Sequence, residues 1–341
     1  MRYARTLASV AVAAASVVVL SGCVAGEGSA ALADADAGGE WSSNTLNIDF
    51  ATYNPLSLVI KEQRWLEDEL DGVTVTWLQS AGSNKANEAL RAGAIDVGST
   101  AGSAALLARS NGSPIQVIDL YSQPEWAAIV VPEGSSIDSV DDLRGKSIAA
   151  TKGTDPYFFL LQTLDEAGIG LDEVTIQNLQ HADGGAALLS GAVDAWSGLD
   201  PIMATAEVDS GAKLIYRNID FNTYGFLNAT ESFLTASPDI AQVVVDSYEK
   251  AREWAAQNPE ETAQILADYS GVTIEIARKV LLERTNLDVG APGQKQREVL
   301  EIVGPIFVES GDVANQALID DALEALFNDS LFAKADPARI G

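Results

Sequence analysis

Residues 147–161 read SIAATKGTDPYFFLL. Ile148-Ala149-Ala150 is a short apolar strand, Thr151-Lys152-Gly153-Thr154 a turn, and Asp155-Pro156 the start of a helix. Asp is a favoured N-cap, and proline suits the first helical position because its missing N–H would go unpaired there anyway. A strand that runs through a glycine turn into a helix N-terminus aims several backbone N–H groups at one spot. That arrangement holds an anion or a polar head group. A single such turn is an ordinary strand–helix joint, and what raises its weight is a counterpart elsewhere in the chain.

Residues 47–60 read NIDFATYNPLSLVI, again a strand and a helix start, with Asn54-Pro55 in the place of Asp155-Pro156. The match continues downstream. VTVTWLQSAG (73–82) pairs with VTIQNLQHAD (174–183), and GAIDVGS (93–99) with GAVDAWS (191–197). The strand-like runs 115–120 and 126–131 pair with 213–218 and 225–230, and partners stay 98 to 101 residues apart throughout. Each half therefore reads strand–helix–strand–helix–strand–helix–strand. This is an α/β pattern that predicts two lobes, each a mostly parallel sheet flanked by helices. Polar loops at the carboxyl ends of the two sheets then face each other across a cleft, where open α/β sheets bind ligands.

The flanking segments complete the layout. Residues 1–22 carry Arg2 and Arg5, then an apolar run of fourteen residues (7–20), too short to span a bilayer and suited to a signal segment. Residues 23–44 are small, acidic and rich in Gly, Ser and Ala, with Trp41 as their one large apolar residue, and read as a flexible tether. Residues 45–123 and 224–341 are assigned to lobe I and 124–223 to lobe II, with crossovers expected near 122–125 and 219–224. From Ser237 onward the pattern is helical, with Ser237-Pro238 and Asn258-Pro259 as helix starts, and these helices are expected to wrap lobe I.

Composition excludes several kinds of chemistry. The chain has one His and one Cys, so the sequence offers no metal cluster, no disulfide framework and no Ser/His or Cys/His pair. No P-loop or dinucleotide glycine motif follows a strand, and no cofactor is implied. Net charge is −28, or −30 once the two arginines of residues 1–22 are removed, which argues against nucleic acid. Asp96 and Asp194 hold equivalent repeat positions, so a structural role used twice is favoured over half an active site.

A binding site has more support. Six helix starts should ring the cleft, at Asn54-Pro55, 80–83, 100–103, 154–156, 182–184 and 198–201. Tyr53, Trp126, Tyr157, Trp196 and Tyr224 lie in or beside these turns, where wall of the site and packed core are both open readings. The expected ligand has an anionic head held mainly by backbone N–H groups, with Lys152 as a secondary contributor. Asp155 and Asp200, each before a proline, are expected to cap their own helices.

Several segments resemble the nitrate/sulfonate/taurine-binding proteins of ABC importers: ALRAGAIDVGSTAG (89–102), SVDDLRGKSIAA (139–150), TKGTDP (151–156), GAVDAWSGLDP (191–201) and WAAQNP (254–259). The resemblance implies the two-lobed periplasmic-binding fold with two interlobe crossovers (type II). It implies a monomer that delivers a small organic anion, a sulfonate foremost, to an ABC permease. Taurine, nitrate or a thiamine-pyrimidine precursor, and a biosynthetic enzyme on the same fold, are the alternatives. The family's ligand contacts map onto Asn54, Gln79, Ser80, Thr100, Ala101, Gly102, Gly153, Thr154, Trp196 and Asp200. Leu20-Ser21-Gly22-Cys23 resembles a bacterial lipobox. This implies lipid modification of Cys23 and tethering to the extracytoplasmic face of the cell membrane.

Overall fold

The two halves of the repeat fold into two sheets that share one strand order. The structure, a computed structural model, describes residues 41–341. The signal segment, Cys23 and the tether as far as residue 40 lie outside the described residues. The strands are β1 (Thr45–Phe50), β2 (Thr74–Gln79), β3 (Val97–Ala101), β4 (Ile115–Pro124), β5 (Ile129–Val131), β6 (Ser147–Ala150), β7 (Thr175–Asn178), β8 (Ala195–Ser197), β9 (Lys213–Tyr216), β10 (Gly225–Thr230) and β11 (Thr285–Asn286). The first sheet runs β11-β4-β10-β3-β1-β2 and the second β7-β6-β8-β5-β9. Read from β2 and from β7, each strand occupies the place of its repeat partner.

Both sheets are mixed, and the reversed strand is the guest. β1, β2 and β3 pair in parallel, as do β6, β7 and β8. β5 enters the second sheet antiparallel between β8 and β9, and β10 enters the first antiparallel between β3 and β4. The crossovers dictate this. A chain that leaves one lobe at the cleft enters the other from the cleft, so its next strand must run away from it. Most strands still point one way, as the α/β pattern predicts.

Helices cover the sheets. In lobe I they are α1 (Pro55–Gln63), α2 (Trp65–Glu69), α3 (Ser83–Arg91) and α4 (Gly102–Ser110). In lobe II they are α5 (Asp155–Glu166), α6 (His181–Leu189) and α7 (Ile202–Ser210). The chain ends in α8 (Glu231–Ala236), α9 (Pro238–Gln257), α10 (Pro259–Ser270), α11 (Ile274–Arg278), α12 (Gln294–Glu309) and α13 (Gln316–Leu326). α9 and α10 lie on α1, and α13 lies on α4. α12 also reaches lobe II, where Phe307 meets Phe158 of α5 with ring centroids 4.3 Å apart.

Asp96 and Asp194 do the same structural job. Asp96 Oδ2 accepts from the Asn47 backbone N–H at 2.8 Å, and Asp194 Oδ2 accepts from the Ser147 N–H at 2.8 Å. Each pins the start of β3 or β8 to the start of β1 or β6. The end of the tether needs correcting. Trp41 packs on the core and the Ser42 N–H donates to Asp239 at 2.8 Å, so residues 41–44 belong to the folded body. One indole supplies the apolar area that the rest of that segment lacks.

Candidate functional site

The six expected helix starts all exist, but they are not equivalent. Three are filled by the protein itself. The Asn54 side chain accepts from Ser57 N–H at 3.2 Å at the head of α1, and Asp200 Oδ1 accepts from Ala204 N–H at 2.9 Å at the head of α7. At the head of α4 the Ala101 N–H donates to Ser83 Oγ, Gly102 N–H to Tyr224 O and Ser103 N–H to Thr223 Oγ1, at 2.9 to 3.1 Å. A ligand oxygen would have to displace these partners.

The heads of α3, α5 and α6 have no side-chain cap, and they converge from both lobes. A Cβ placed on Gly82, just before α3, would lie 2.9 Å from His181 Nε2 at the head of α6. One placed on Gly153, just before α5, would lie 3.6 Å from Asn84 Cβ. Glycine at 82 lets the lobes approach this closely, and Gly153 takes a left-handed φ of +77° that a side chain would strain. Beside this junction opens a cavity of about 570 Å³. Gln79, Ser80, Ala81 and Lys85 line it from lobe I and Gln180, His181 and Ala182 from lobe II, with Tyr269 and Val272 at its edge.

Unsatisfied polar atoms gather at the junction and along the cavity. Ser80 Oγ, Asn84 Oδ1, Gln180 Oε1 and His181 Nε2 are buried without a protein partner. Such atoms are costly unless something binds them. Burial pushes the His181 imidazole down to about 4, so it is neutral at pH 7. Among the described residues no group of His, Cys, Asp and Glu could hold a metal ion.

Asp155 does not cap α5, contrary to the sequence expectation. Its carboxylate turns across the cleft and accepts from Ser103 Oγ (2.6 Å), Trp126 Nε1 (2.8 Å), Thr223 N–H (2.7 Å) and Thr223 Oγ1 (2.7 Å). Four donors on lobe I and the crossovers outcompete one turn of its own helix. Burial raises its pKa and these donors pull it back. Asp200 does cap its helix, and it also meets Arg284 Nη1 at 3.1 Å in a buried pair that joins the turn before α7 to the residue before β11. Burial pushes Asp200 up to about 6 against the pull of Arg284. Neither carboxylate is free to face a ligand.

The remaining expected residues divide between core and cleft. Gln79 and Ser80 line the cavity, Gly153 and Thr154 form the head of α5, and Ala101 and Gly102 form the filled head of α4. Thr100 accepts from Asn228 Nδ2 inside lobe I, and Asn54 Nδ2 donates to Ser99 Oγ and Tyr248 Oη. Trp196 packs in the lobe II core against Gly184 and Gly185, since the alternation of β8 turns it to the helix-covered face, away from the cleft. Tyr53 and Trp126 stack edge to face beside Asp200 and Arg284 in a small inner cavity of about 10 Å³. Tyr224 lies under the Lys295 ammonium, and Lys152 reaches over Tyr157 rather than into the cavity.

His181, Gln180, Asn84 and Arg284 escaped the sequence reading. For two of them the signal was present. Gln180 and His181 are the repeat partners of Gln79 and Ser80, and all four line one cavity from opposite lobes.

A family model described as NMT1/THI5 like matches residues 57–262. The chain is 26% identical over 247 residues to a putative aliphatic sulfonates-binding protein of Escherichia coli K12, covering 72% of this chain and 77% of that one. It is 28% identical over 229 residues to the protein of the same description in Bacillus subtilis 168, covering 66% and 69%. Among solved structures it is similar to the alkanesulfonate-binding protein SsuA from Xanthomonas axonopodis pv. citri bound to MOPS. The TM-score is 0.75 at 23% identity, over 84% of this chain and 99% of that one. The periplasmic nitrate-binding protein NrtA from Synechocystis PCC 6803 has a TM-score of 0.72 at 12% identity, over 87% and 91%. These likenesses show the periplasmic-binding fold.

Proposed function

This chain belongs to the NMT1/THI5-like family, and from that premise we propose that it is the substrate-binding lipoprotein of an ABC importer. It closes two lobes over a small organic anion, a sulfonate foremost, and hands it to a membrane permease. The observation that carries this reading is the meeting of two uncapped helix N-termini from opposite lobes, those of α3 and α6, at one cavity, with the uncapped head of α5 beside them. Each helix head favours an anion by roughly 0.3–1 kcal/mol when exposed, and by up to about 2 kcal/mol when partly buried. The relatives described as sulfonate binders support the same choice. The acidic net charge does not oppose it, because helix-head donors act at about 3 Å while exposed carboxylates beyond a Debye length of about 8 Å are screened. Asp155 and Asp200, near the cleft, are held by internal donors. Contacts to both lobes favour the shut state, which couples binding to hinge closure.

Thermal and chemical unfolding with candidate ligands tests the reading. A true ligand at 100 times its dissociation constant adds about 2.7 kcal/mol of stability. A flat response across alkanesulfonates, taurine, nitrate and thiamine pyrimidines would overturn it. Membrane attachment is tested separately. The lipobox-like LSGC and the lone cysteine support anchoring at Cys23, so Cys23→Ser should release the protein from membranes, and retention of the variant would refute the anchor.

A further inference from the structure

The unpartnered imidazole nitrogen in the cleft has a fixed polarity. Thr151 Oγ1 lies 2.7 Å from Leu179 O and 3.2 Å from His181 Nδ1. A carbonyl oxygen only accepts, and a hydroxyl has one proton to give. The hydroxyl therefore donates to Leu179 O and accepts from Nδ1–H. This places the ring proton on Nδ1 and leaves Nε2 a bare acceptor. The side chain is 2% exposed and burial keeps the ring neutral near pH 7. Nε2 faces Gly82 and the Asn84 amide oxygen at the junction of the lobes, beside the cavity, and neither supplies it with a donor.

A plain anion cannot satisfy this atom. Sulfonate oxygens are acceptors only, and they belong on the helix-head amides, while Nε2 and the nearby Gln180 Oε1 need something that donates. A wholly alkyl tail would leave them dry and unpaired. We propose that His181 is a specificity residue that accepts a hydrogen bond from the ligand, so that the cleft selects organic anions bearing an O–H or N–H group close to the charged head over their plain alkyl counterparts. The proposal rests on the anion-binding reading of the same cleft. It goes further by assigning a second polar point on the ligand and the residue that reads it.

Calorimetry with three matched ligands, ethanesulfonate, isethionate and taurine, tests it on the wild type, His181→Gln and His181→Phe. The wild type should bind isethionate or taurine about tenfold more tightly than ethanesulfonate, as one additional hydrogen bond in a dry site allows. His181→Gln, whose amide oxygen can still accept, should keep most of that preference, and His181→Phe should reduce it to under about twofold. Equal affinities in the wild type, or a preference that survives in His181→Phe, would overturn the proposal and leave the anion reading intact. Failure of every sulfonate to bind would overturn both. The chain contains a single histidine, so nitrogen NMR of the untagged protein reads its tautomer without assignment and without any variant. The expected state is Nδ1–H with a bare Nε2 whose signal moves on adding isethionate and stays on adding ethanesulfonate. A proton on Nε2 in the free protein would refute the proposal even if the variants fail to fold.

Discussion

Asn54 and Asp155 stand at the same place in the two halves of the repeat, each directly before a proline at the head of a helix. Asn54 turns inward: it caps α1, and its amide nitrogen ties Ser99 and Tyr248 within lobe I. Asp155 turns outward and takes four donors from lobe I and the crossovers. The neutral side chain stabilises a lobe, whereas the charged one stabilises the relation between lobes. One repeat unit thus yields two kinds of joint, and the charge is placed where it can reach across.

The strongest way to sharpen this contrast is the other interlobe tie. Arg284→Met leaves the buried Asp200 carboxylate unpaired and should cost about 3–5 kcal/mol in urea unfolding. A loss below about 1 kcal/mol would show that the pair contributes nothing to joining the lobes.

Next in size is a pH effect confined to lobe II. His181 titrates at about 4 when folded against 6.5 when unfolded. A depressed histidine contributes stability above its unfolded pKa, and this is lost as pH falls toward the folded value. Two and a half pH units at about 1.36 kcal/mol each give roughly 3 kcal/mol. Asp49 and Asp200, each raised to about 6 chiefly by burial, act in the opposite sense: their contribution is present below pH 4 and lost as pH rises through 6. The histidine contribution is therefore read as a difference. The stability of wild type relative to His181→Gln should fall by about 3 kcal/mol between pH 6.5 and pH 4, and a constant difference would mean that the ring is not held neutral.

The Asn54–Asp155 contrast itself can be broken directly. Asp155→Ala strands several buried donors and should cost about 2–3 kcal/mol, while Asn54→Ala should cost about 1–2 kcal/mol. Only Asp155→Ala should increase the radius of gyration in small-angle scattering, because only it unties the lobes. If both variants expand, or neither does, the division between the two joints is wrong. The smallest effect belongs to Gly153, whose φ of +77° should make Gly153→Ala cost about 1 kcal/mol, with weaker ligand binding if the head of α5 contributes to the site.

Much of the fold was legible because its signals are local. Strand periodicity, the Asn-Pro and Asp-Pro helix starts and the 98–101-residue offset each depend on a few adjacent residues. The paired Asp96 and Asp194 followed from the same offset. The candidate site was legible in part. Gln79 and Ser80 stand among the expected contacts, and the same offset that reveals the fold leads from them to Gln180 and His181 across the cavity. Trp196 is the opposite case, since its neighbours in sequence belong to the cleft but its side chain faces the lobe II core.

The sequence by itself determined where strands and helices begin, that the chain is built twice, and that polar helix heads would gather at the cleft. Period, proline and glycine act over one turn or one strand, so element positions are encoded locally, whereas a capping side chain such as Asp155 can be diverted by distant donors. Only the tertiary structure decided which helix heads remain open, which acids are spent and which imidazole nitrogen is bare. Asp155 finds its donors 29, 52 and 68 residues away, and Asp200 meets Arg284 at a separation of 84. Those choices are competitions between hydrogen-bond partners brought together by folding, and the outcome depends on distance in space, which the order of residues does not contain.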